Sequence, residues 1–194
     1  MESVCVFCGS SMGVRPSYRQ SAQKLGETLA NLGLKLVYGG ASVGLMGIVA
    51  DAVLNKGGQV IGVIPEFLAN KEIAHIGLTE LYIVDSMHER KTKMAELASA
   101  FIALPGGYGT FEEFCEILTW AQLRLHDKPC GLLNIEGYYD PLLKLFDQAV
   151  TEQFLKPDLR ALVLQASEPE ELLTLFANYK PNIVDKWIGQ VVKP

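Results

Sequence analysis

The sequence lacks any apolar stretch long enough to cross a membrane. A membrane-spanning helix needs about 20 consecutive apolar residues, and no run among the 194 residues approaches that length. The first residues, M-E-S-V-C-V-F-C-G, also lack the basic segment and long apolar core of a secretory signal peptide. We therefore expect a cytoplasmic protein that has no membrane partner.

An excess of basic residues is also missing. The 17 Lys and Arg residues face 22 Asp and Glu residues, which gives a formal net charge of −5 at pH 7. Without an overall positive field, a protein is poorly equipped to hold the phosphates of a nucleic acid. We expect no nucleic-acid partner.

Histidine and cysteine are too few and too scattered to indicate a metal centre. His75, His88 and His126 show neither H-x-H nor H-E-x-x-H spacing. Cys5 and Cys8 form a C-x-x-C, but in a β-like run residues three apart point to opposite faces, and no second pair completes a zinc site. The sequence predicts no catalytic metal, and it predicts buried, reduced cysteines.

Two common phosphate-binding motifs are absent: the P-loop G-x-x-x-x-G-K-[ST] and the dinucleotide motif G-x-G-x-x-G. An NTPase or a dinucleotide enzyme is therefore not favoured. Glycine is concentrated instead in three turns that each follow an apolar run, at residues 9–13, 39–47 and 106–109. A tight strand-to-helix connection needs glycine for its own sake, but three such turns at one sheet edge favour a phosphate-bearing ligand.

Apolar runs alternate with helical patterns along the whole chain. The runs predict strands at 3–8, 34–38, 59–64, 81–84, 101–104, 131–135 and near 162–164. The patterns predict helices at 16–32, through 54, and at 86–98, 110–125, 141–154 and 169–179. This order predicts one α/β domain over 1–180, a doubly wound, Rossmann-like, mostly parallel sheet with helices on both faces, followed by a loosely attached tail over 181–194.

The stretch 100–116, A-F-I-A-L-P-G-G-Y-G-T-F-E-E-F-C-E, joins a strand, a glycine turn and a helix start. Unpaired N–H groups at a helix start attract anions, yet this helix opens with Glu112, Glu113 and Glu116. Thr110 and Glu113 also fit a capping box, in which both side chains bond to backbone N–H groups. Capping and catalysis therefore both stay open for Glu113. The acidic cluster is either a solvated helix start or part of a site on a buried helix.

Arg90 falls on the apolar stripe of its predicted helix, three residues after Met87 and four before Met94. A buried guanidinium needs a carboxylate, a phosphate or a polar substrate group as its partner. The alternative is a solvated basic turn in which Arg90 extends into water. Lys91 and Lys93 are expected at the surface or in the attraction of phosphate.

A carboxylate and an arginine beside a phosphate cradle suit the cleavage of a ribosyl bond. Positive charge develops on the sugar during N-glycoside hydrolysis, and a carboxylate there stabilises it or orients water. An arginine can hold the leaving base or the sugar in place.

These motifs resemble those of the LONELY GUY (LOG) family. P-G-G-Y-G-T-F-E-E at 105–113 is similar to the family motif P-G-G-x-G-T-x-x-E, and M-H-E-R-K at 87–91 is similar to its companion motif. The resemblance extends through C-G-S-S at 8–11, G-G-A-S-V-G-L-M-G at 39–47, T-W-A-Q-L at 119–123 and the segment 128–143. The family comprises cytokinin riboside 5′-monophosphate phosphoribohydrolases, which release the free base and ribose 5-phosphate, and many members accept AMP.

The resemblance implies Arg90 and Glu113 as the catalytic pair and no cofactor. The substrate and its phosphate would be bound by Gly9, Ser10, Gly39, Gly40, Gly44, Met46, Met87, Lys91, Gly106, Gly107, Tyr108, Gly109, Thr110 and Glu116. The implied partners are a nucleoside 5′-monophosphate and a second copy of the chain, because family members form dimers through helices near the site. Ser99 departs from the family, which often has Asp there, and this bears on the contacts behind the loop.

Two other functions compete with this one. Similar sequences are often labelled lysine decarboxylases, but that chemistry needs a Schiff-base lysine and a pyridinium partner for pyridoxal phosphate, and no Ser-x-His-Lys type segment occurs. The second is a non-catalytic carrier or sensor of a phosphorylated ligand, since some relatives of similar fold bind molybdenum cofactor. Carrier and enzyme both need the phosphate cradle, whereas only the enzyme needs the Glu113 carboxylate for chemistry.

Overall fold

The computed structural model describes residues 1–69 and 74–181, in which strands and helices alternate. The strands are β1 Ser3–Phe7, β2 Lys35–Tyr38, β3 Val60–Pro65, β4 Glu80–Val84, β5 Phe101–Ala103, β6 Cys130–Leu133 and β7 Val163–Ala166. The helices are α1 Pro16–Asn31, α2 Gly44–Asn55, α3 Glu66–Leu68, α4 Met87–Leu97, α5 Tyr108–Gln122, α6 Asp140–Thr151, α7 Pro157–Arg160 and α8 Pro169–Ala177. A 3-10 helix, Ile135–Gly137, precedes α6. Within the described ranges, each helix is either too short or too polar to cross a bilayer.

The seven strands form one parallel sheet in the order β4-β3-β2-β1-β5-β6-β7. From β1 the chain adds strands outward on one side as far as β4, and it then returns to the other side of β1 to add β5, β6 and β7. The direction of winding therefore reverses between β1 and β5, which is where ligands bind in doubly wound sheets. The predicted fold class is confirmed.

The strands bury both faces because helices cover the sheet on both sides. In β1, Val4 and Val6 belong to one apolar cluster, together with residues of α1, α2 and α8. Cys5 and Phe7 belong to a second cluster, together with residues of α4, α5 and α6. Cys8 lies in the first cluster, so the two cysteines of the C-x-x-C do lie on opposite sides of the sheet. Both are buried and free, as predicted, and burial raises the pKa of each thiol.

Helix α5 begins two residues earlier than the sequence predicts. Gly107 is its N-cap residue, with φ −102° and ψ −153°, and no side chain caps the helix. Thr110 therefore lies within the first turn, and the capping-box alternative for Thr110 and Glu113 does not hold. A glycine N-cap has no side-chain oxygen to bond to the first N–H groups of the helix. Those groups are left for a ligand or for water.

Other differences concern short elements. The third strand, predicted over 59–64, extends to Pro65, which pairs in register with Val84. Proline is tolerated there because at a strand end its missing N–H removes a single ladder bond. Helices α3 and α7 and the 3-10 helix have three or four residues each, too few to show a helical periodicity in the sequence. The predicted tail over 181–194 lies, apart from Pro181, outside the described residues. The prediction of one domain over 1–180 stays a prediction.

Candidate active site

The glycine turns that follow β1, β2 and β5 meet around one cavity of about 390 Å³. These strands are neighbours in the sheet, so their carboxyl ends lie side by side. Gly9 and Ser10 come from the first turn, Gly39 from the second, and residues 107–110 from the third. The convergence predicted from the sequence is confirmed, and the cavity lies at the point where the sheet reverses its winding.

The turns are held together by backbone contacts. The Gly9 N–H donates to the carbonyl of Pro105 at 3.1 Å, and the Leu45 N–H donates to the carbonyl of Gly9 at 3.1 Å. Gly44 has a φ of +57°, and a Cβ atom there would overlap the backbone of Ser10. Glycine is required at this position both by its conformation and by the close approach of two loops. The three turns therefore form one connected floor.

Two tyrosines support the third turn from behind. The Tyr138 hydroxyl donates to the carbonyl of Gly106, and the Tyr139 hydroxyl donates to the carbonyl of Leu104 at 2.6 Å. A Cβ atom on Gly106 would overlap the Thr110 hydroxyl, so the turn packs directly on the first turn of α5. Reasoning from the sequence missed this support. Its only signal was the pair of adjacent tyrosines inside the family-like segment 128–143.

Two helix N-termini border the cavity. The first residues of α5, Tyr108, Gly109 and Thr110, line it, and so does Val43, the N-cap residue of α2. Neither helix has a side-chain cap. The first N–H groups of an uncapped helix carry partial positive charge and attract anions. This part of the cavity is suited to a phosphate group.

Arg90 enters the site from α4, whose N-terminus is capped by the Ser86 side chain. Arg90 is only 8% exposed. Its Nε donates to the carbonyl of Val63 at 3.1 Å, and its Nη1 donates to Glu113 Oε1 at 3.3 Å. A Cβ atom on Gly39 would overlap Arg90 Nη2, so the guanidinium occupies the space beside that glycine. The expectation of a buried arginine with a carboxylate partner is confirmed, and the solvated alternative is wrong.

Glu113 extends from the second turn of α5 toward the cavity and is 9% exposed. Burial raises the pKa of this carboxyl above its ordinary value, and the positive charge of Arg90 opposes that rise. The side chain is therefore an ionisable group held in a place of restricted hydration, with one arginine as its hydrogen-bonded partner. Such perturbed groups in a cleft are characteristic of functional sites.

Lys91, the next residue of α4, contacts α5 outside the cavity. It is 8% exposed, and its Nζ donates to Glu112 Oε1 at 2.7 Å and to Glu116 Oε1 at 3.0 Å. The expectation that Lys91 lies at the surface is wrong, because the two carboxylates of α5 compensate its buried charge. Neither Lys91 nor Glu116 lines the cavity.

The structure brings most of the predicted site residues to the cavity wall. Those that line it are Gly9, Ser10, Gly39, Met46, Arg90, Gly107, Tyr108, Gly109, Thr110 and Glu113. Those that do not line it are Gly40, Gly44, Met87, Lys91, Gly106 and Glu116. The glycines of this second group shape the loops from behind. The carbonyl of Gly40, for instance, accepts a hydrogen bond from the His75 N–H at 2.9 Å.

An apolar wall completes the cavity, and reasoning from the sequence missed it. Val43, Ile64, Leu68 and Met94 contribute to it, together with the predicted Met46. These residues come from four different elements or loops, so no local motif unites them. A cavity with anion-binding helix ends on one part of its wall and apolar side chains on another suits a ligand with a phosphate and a flat apolar group.

The fold and the cavity together define a Rossmann-like α/β protein with an anion site and a buried arginine–glutamate pair. Residues 46–176 match the family model described as "Possible lysine decarboxylase". The chain is 52% identical over 176 residues to "Probable cytokinin riboside 5'-monophosphate phosphoribohydrolase LOGL1" of Oryza sativa subsp. japonica, covering 91% of this chain and 79% of the relative. It is 51% identical over 178 residues to cytokinin riboside 5'-monophosphate phosphoribohydrolase LOG1 of Arabidopsis thaliana, covering 92% and 84%. The chain belongs to the LOG family.

Solved structures share the architecture at lower identity. The molybdenum cofactor binding protein from the phototrophic bacterium Rippkaea orientalis superposes with a TM-score of 0.69 and 22% identity, over 91% of this chain and 96% of that one. The molybdenum cofactor carrier protein of Chlamydomonas reinhardtii gives a TM-score of 0.67 and 22% identity, over 89% and 98%. At this identity the likeness shows a common fold alone.

The site does not fit the decarboxylase named in the family description. A decarboxylase that uses pyridoxal phosphate needs a lysine whose amine forms a Schiff base with the cofactor. Among the residues that the structure describes, no lysine lines the cavity. Lys91, which follows Arg90 in sequence, pairs with two carboxylates outside the cavity. We derive no chemistry through that cofactor.

The raised pKa of Glu113 predicts how the stability of the protein depends on pH. Its pKa is higher in the folded chain than its ordinary value of 4.5. Between these two values the folded chain binds more protons than the unfolded one, so the free energy of unfolding falls as the pH rises through that interval. A Glu113→Gln variant has no carboxyl group at this position, so it does not lose this part of the free energy of unfolding as the pH rises. We expect the stability of the Glu113→Gln variant, relative to the wild type, to improve between about pH 4 and about pH 8.

Urea denaturation of both proteins at the two pH values measures this difference. Glu152→Gln, at an exposed position, is the matched control for the loss of one negative charge. A Glu113→Gln difference that is constant with pH, or that changes in the opposite direction, contradicts the assignment of Glu113 as a carboxyl destabilised by burial.

Proposed function

We propose that this protein is a phosphoribohydrolase that cleaves the N-glycosidic bond of cytokinin riboside 5′-monophosphates and of AMP. The products are the free base and ribose 5-phosphate. The observation that carries the proposal is the buried ion pair of Arg90 and Glu113, 3.3 Å apart, at the wall of a cavity bordered by uncapped helix N-termini. The names of the curated relatives support the same reaction.

The phosphate binds at the start of α5. The backbone N–H groups of Tyr108, Gly109 and Thr110 lie in the first turn of an uncapped helix and supply donors for its oxygens. The turn at Gly9 and Ser10 borders the same part of the cavity. Binding the phosphate here fixes one end of the substrate and thereby limits where the sugar can lie.

Glu113 acts at the ribosyl carbon. When the bond from C1′ to the base breaks, positive charge develops on the sugar, and a carboxylate beside it stabilises that charge. A water molecule then forms the new C–O bond to C1′, and its proton ends on the departing base, so the atoms balance. Glu113 can orient this water as it approaches. Restricted hydration strengthens each of these electrostatic effects.

Arg90 stabilises the ionised form of Glu113 and also contacts the substrate. Its positive charge opposes the effect of burial on the pKa of Glu113 and so favours the carboxylate form. Two of its nitrogens are fixed by Val63 and Glu113, while Nη2 lies beside Gly39 on the cavity wall. A guanidinium in this position can bind the sugar or the leaving base.

The base lies against the apolar wall. Met46, Ile64, Leu68 and Met94 offer side chains that suit the flat face of an adenine and an apolar substituent on its N6 atom. We therefore place both AMP and its prenylated forms among the substrates. Rates on AMP and on isopentenyladenosine monophosphate measure which of them the wall prefers.

Glu113→Gln tests the proposed reaction. The variant keeps the size and hydrogen-bonding shape of the side chain but lacks the charge, so we expect kcat to fall by at least about 100-fold. The assay measures ribose 5-phosphate released from AMP and from isopentenyladenosine monophosphate, with Glu152→Gln as the matched control. Release by the wild type no greater than by Glu113→Gln contradicts the proposal. Saturable binding of AMP without any release would favour the carrier function instead.

We also propose that the chain forms a homodimer. An apolar groove of about 290 Å³, lined by Cys115, Leu118, Phe146 and Phe154 among others, runs beside α5 and α6, and Phe154 is 89% exposed. Exposed apolar surface of this kind is characteristic of protein interfaces. Light scattering measures the mass, and we expect Phe154→Glu to convert a dimer to a monomer. A monomeric wild type contradicts this.

A cytoplasmic location is part of the same proposal. The four cysteines are free, which is typical of a reducing compartment. Fractionation of the source cells tests it, and recovery of the protein in a membrane or secreted fraction contradicts it.

A further inference from the structure

Two consecutive residues of α4 bind the same helix in two different ways. Arg90 pairs with Glu113, on the side of α5 that borders the cavity. Lys91 pairs with Glu112 at 2.7 Å and with Glu116 at 3.0 Å, outside the cavity. The Arg90–Glu113 pair and this second cluster therefore join the same two helices through residues that are adjacent in sequence.

The cluster of Lys91, Glu112 and Glu116 is partly shielded from water: the exposed fraction of the side chain is 9% for Lys91 and 25% for Glu116, but 55% for Glu112. Lys91 is almost fully buried, and Glu116 Oε2 is also buried, with no hydrogen-bond partner within the described part of the chain. Exposed pairs contribute little because water screens them, but a buried charge depends strongly on its partners. Removing the lysine would leave two carboxylates next to Glu113 without their cation.

The titratable and charged groups around Glu113 come from α4, from α5, and from β1 with the turn that follows it. Helix α4 supplies Arg90 and Lys91, whose positive charges lower the pKa of Glu113. Helix α5 supplies Glu112 and Glu116, whose negative charges raise it, and burial raises it most of all. Strand β1 supplies the thiol of Cys5 and the turn after it supplies that of Cys8, and burial keeps both thiols protonated and hence neutral. Lys91 is thus the cation that offsets the two flanking carboxylates.

We propose that Lys91 is a positioning residue for the reaction: by pairing with Glu112 and Glu116 it fixes α4 against α5 and neutralises the carboxylates beside Glu113, so that Glu113 stays ionised next to Arg90. The inference rests on the proposed phosphoribohydrolase function. Lys91 does not touch the cavity, and this assignment replaces the phosphate contact that the sequence suggested for it.

The test is the acidic limb of the pH profile of kcat/KM with AMP, in variants that change the cluster in opposite senses. Lys91→Met removes the cation and leaves two negative charges, so we expect the limb to move to higher pH by about half a pH unit or more. Glu112→Gln removes one negative charge and leaves Lys91 in place, so we expect a shift to lower pH. Ionisation of the AMP phosphate is common to all profiles and cancels in the comparison.

Two further variants separate charge from packing. Lys91→Arg keeps the cation, and we expect its limb to lie close to that of the wild type. The triple variant Lys91→Met/Glu112→Gln/Glu116→Gln has no charges in the cluster, and we expect the limb to return toward the wild-type position. A purely structural role for Lys91 would lower kcat without shifting the limb and would not be rescued by the two glutamines.

The outcomes distinguish this inference from the proposed function. If the wild type releases no ribose 5-phosphate, the proposed function fails. Suppose instead that the wild type is active. The proposed role of Lys91 is then contradicted if the acidic limbs of Lys91→Met and Glu112→Gln coincide with the limb of the wild type, or if both shift in the same direction. Should Lys91→Met not fold, as judged by circular dichroism, the shift in Glu112→Gln decides alone.

Discussion

The buried ion pair between Arg90 and Glu113 is the interaction on which the site depends. Neither charge could be held at this depth alone, because burying an uncompensated ion costs several kcal/mol. The arginine is fixed by Val63 at the end of β3 and by Glu113 on α5, so it joins the sheet to the helix that borders the cavity. Gly39 leaves the space that the guanidinium fills. The pair, the glycine turn and the sheet edge thus form one unit, and in the proposed reaction the substrate would meet charges that are already in place. Preorganisation of this kind is the main source of electrostatic catalysis.

The proposed phosphate cradle arises from close packing of backbone rather than from a motif of charged side chains. Gly44 and Gly106 let three loops approach so closely that a Cβ atom at either position would overlap a neighbour. The uncapped start of α5 then supplies N–H donors, while a side-chain cap would have consumed them. An acidic helix and an anion site coexist because Lys91 and Arg90 each take up carboxylates of α5. Carboxylates next to the proposed phosphate site would repel the phosphate, and the positive charges of Arg90 and Lys91 on α4 offset them.

Much of this could be predicted from the sequence, and the rest could not for identifiable reasons. The alternation of apolar runs and helical patterns predicts the parallel sheet, because a strand apolar on both faces must be covered on both. The position of Arg90 on an apolar stripe indicates burial as one of two alternatives, and the structure decides between them. The start of α5 could not be placed, because Gly107 gives no side-chain signal for a cap. The partners of Lys91 lie 21 and 25 residues away on another helix, beyond the reach of any local pattern. The apolar wall was missed because its residues come from separate elements.

A double-mutant cycle on kcat/KM tests most directly whether Arg90 and Glu113 work as one unit. The wild type, Arg90→Gln, Glu113→Gln and the double variant are compared with AMP as substrate. Groups that act together give strongly non-additive effects, because removing either one already disables the other. We expect the double variant to be slower than the slower single variant by less than about tenfold. A double variant whose loss equals the product of the two single losses would show independent groups and would contradict the account.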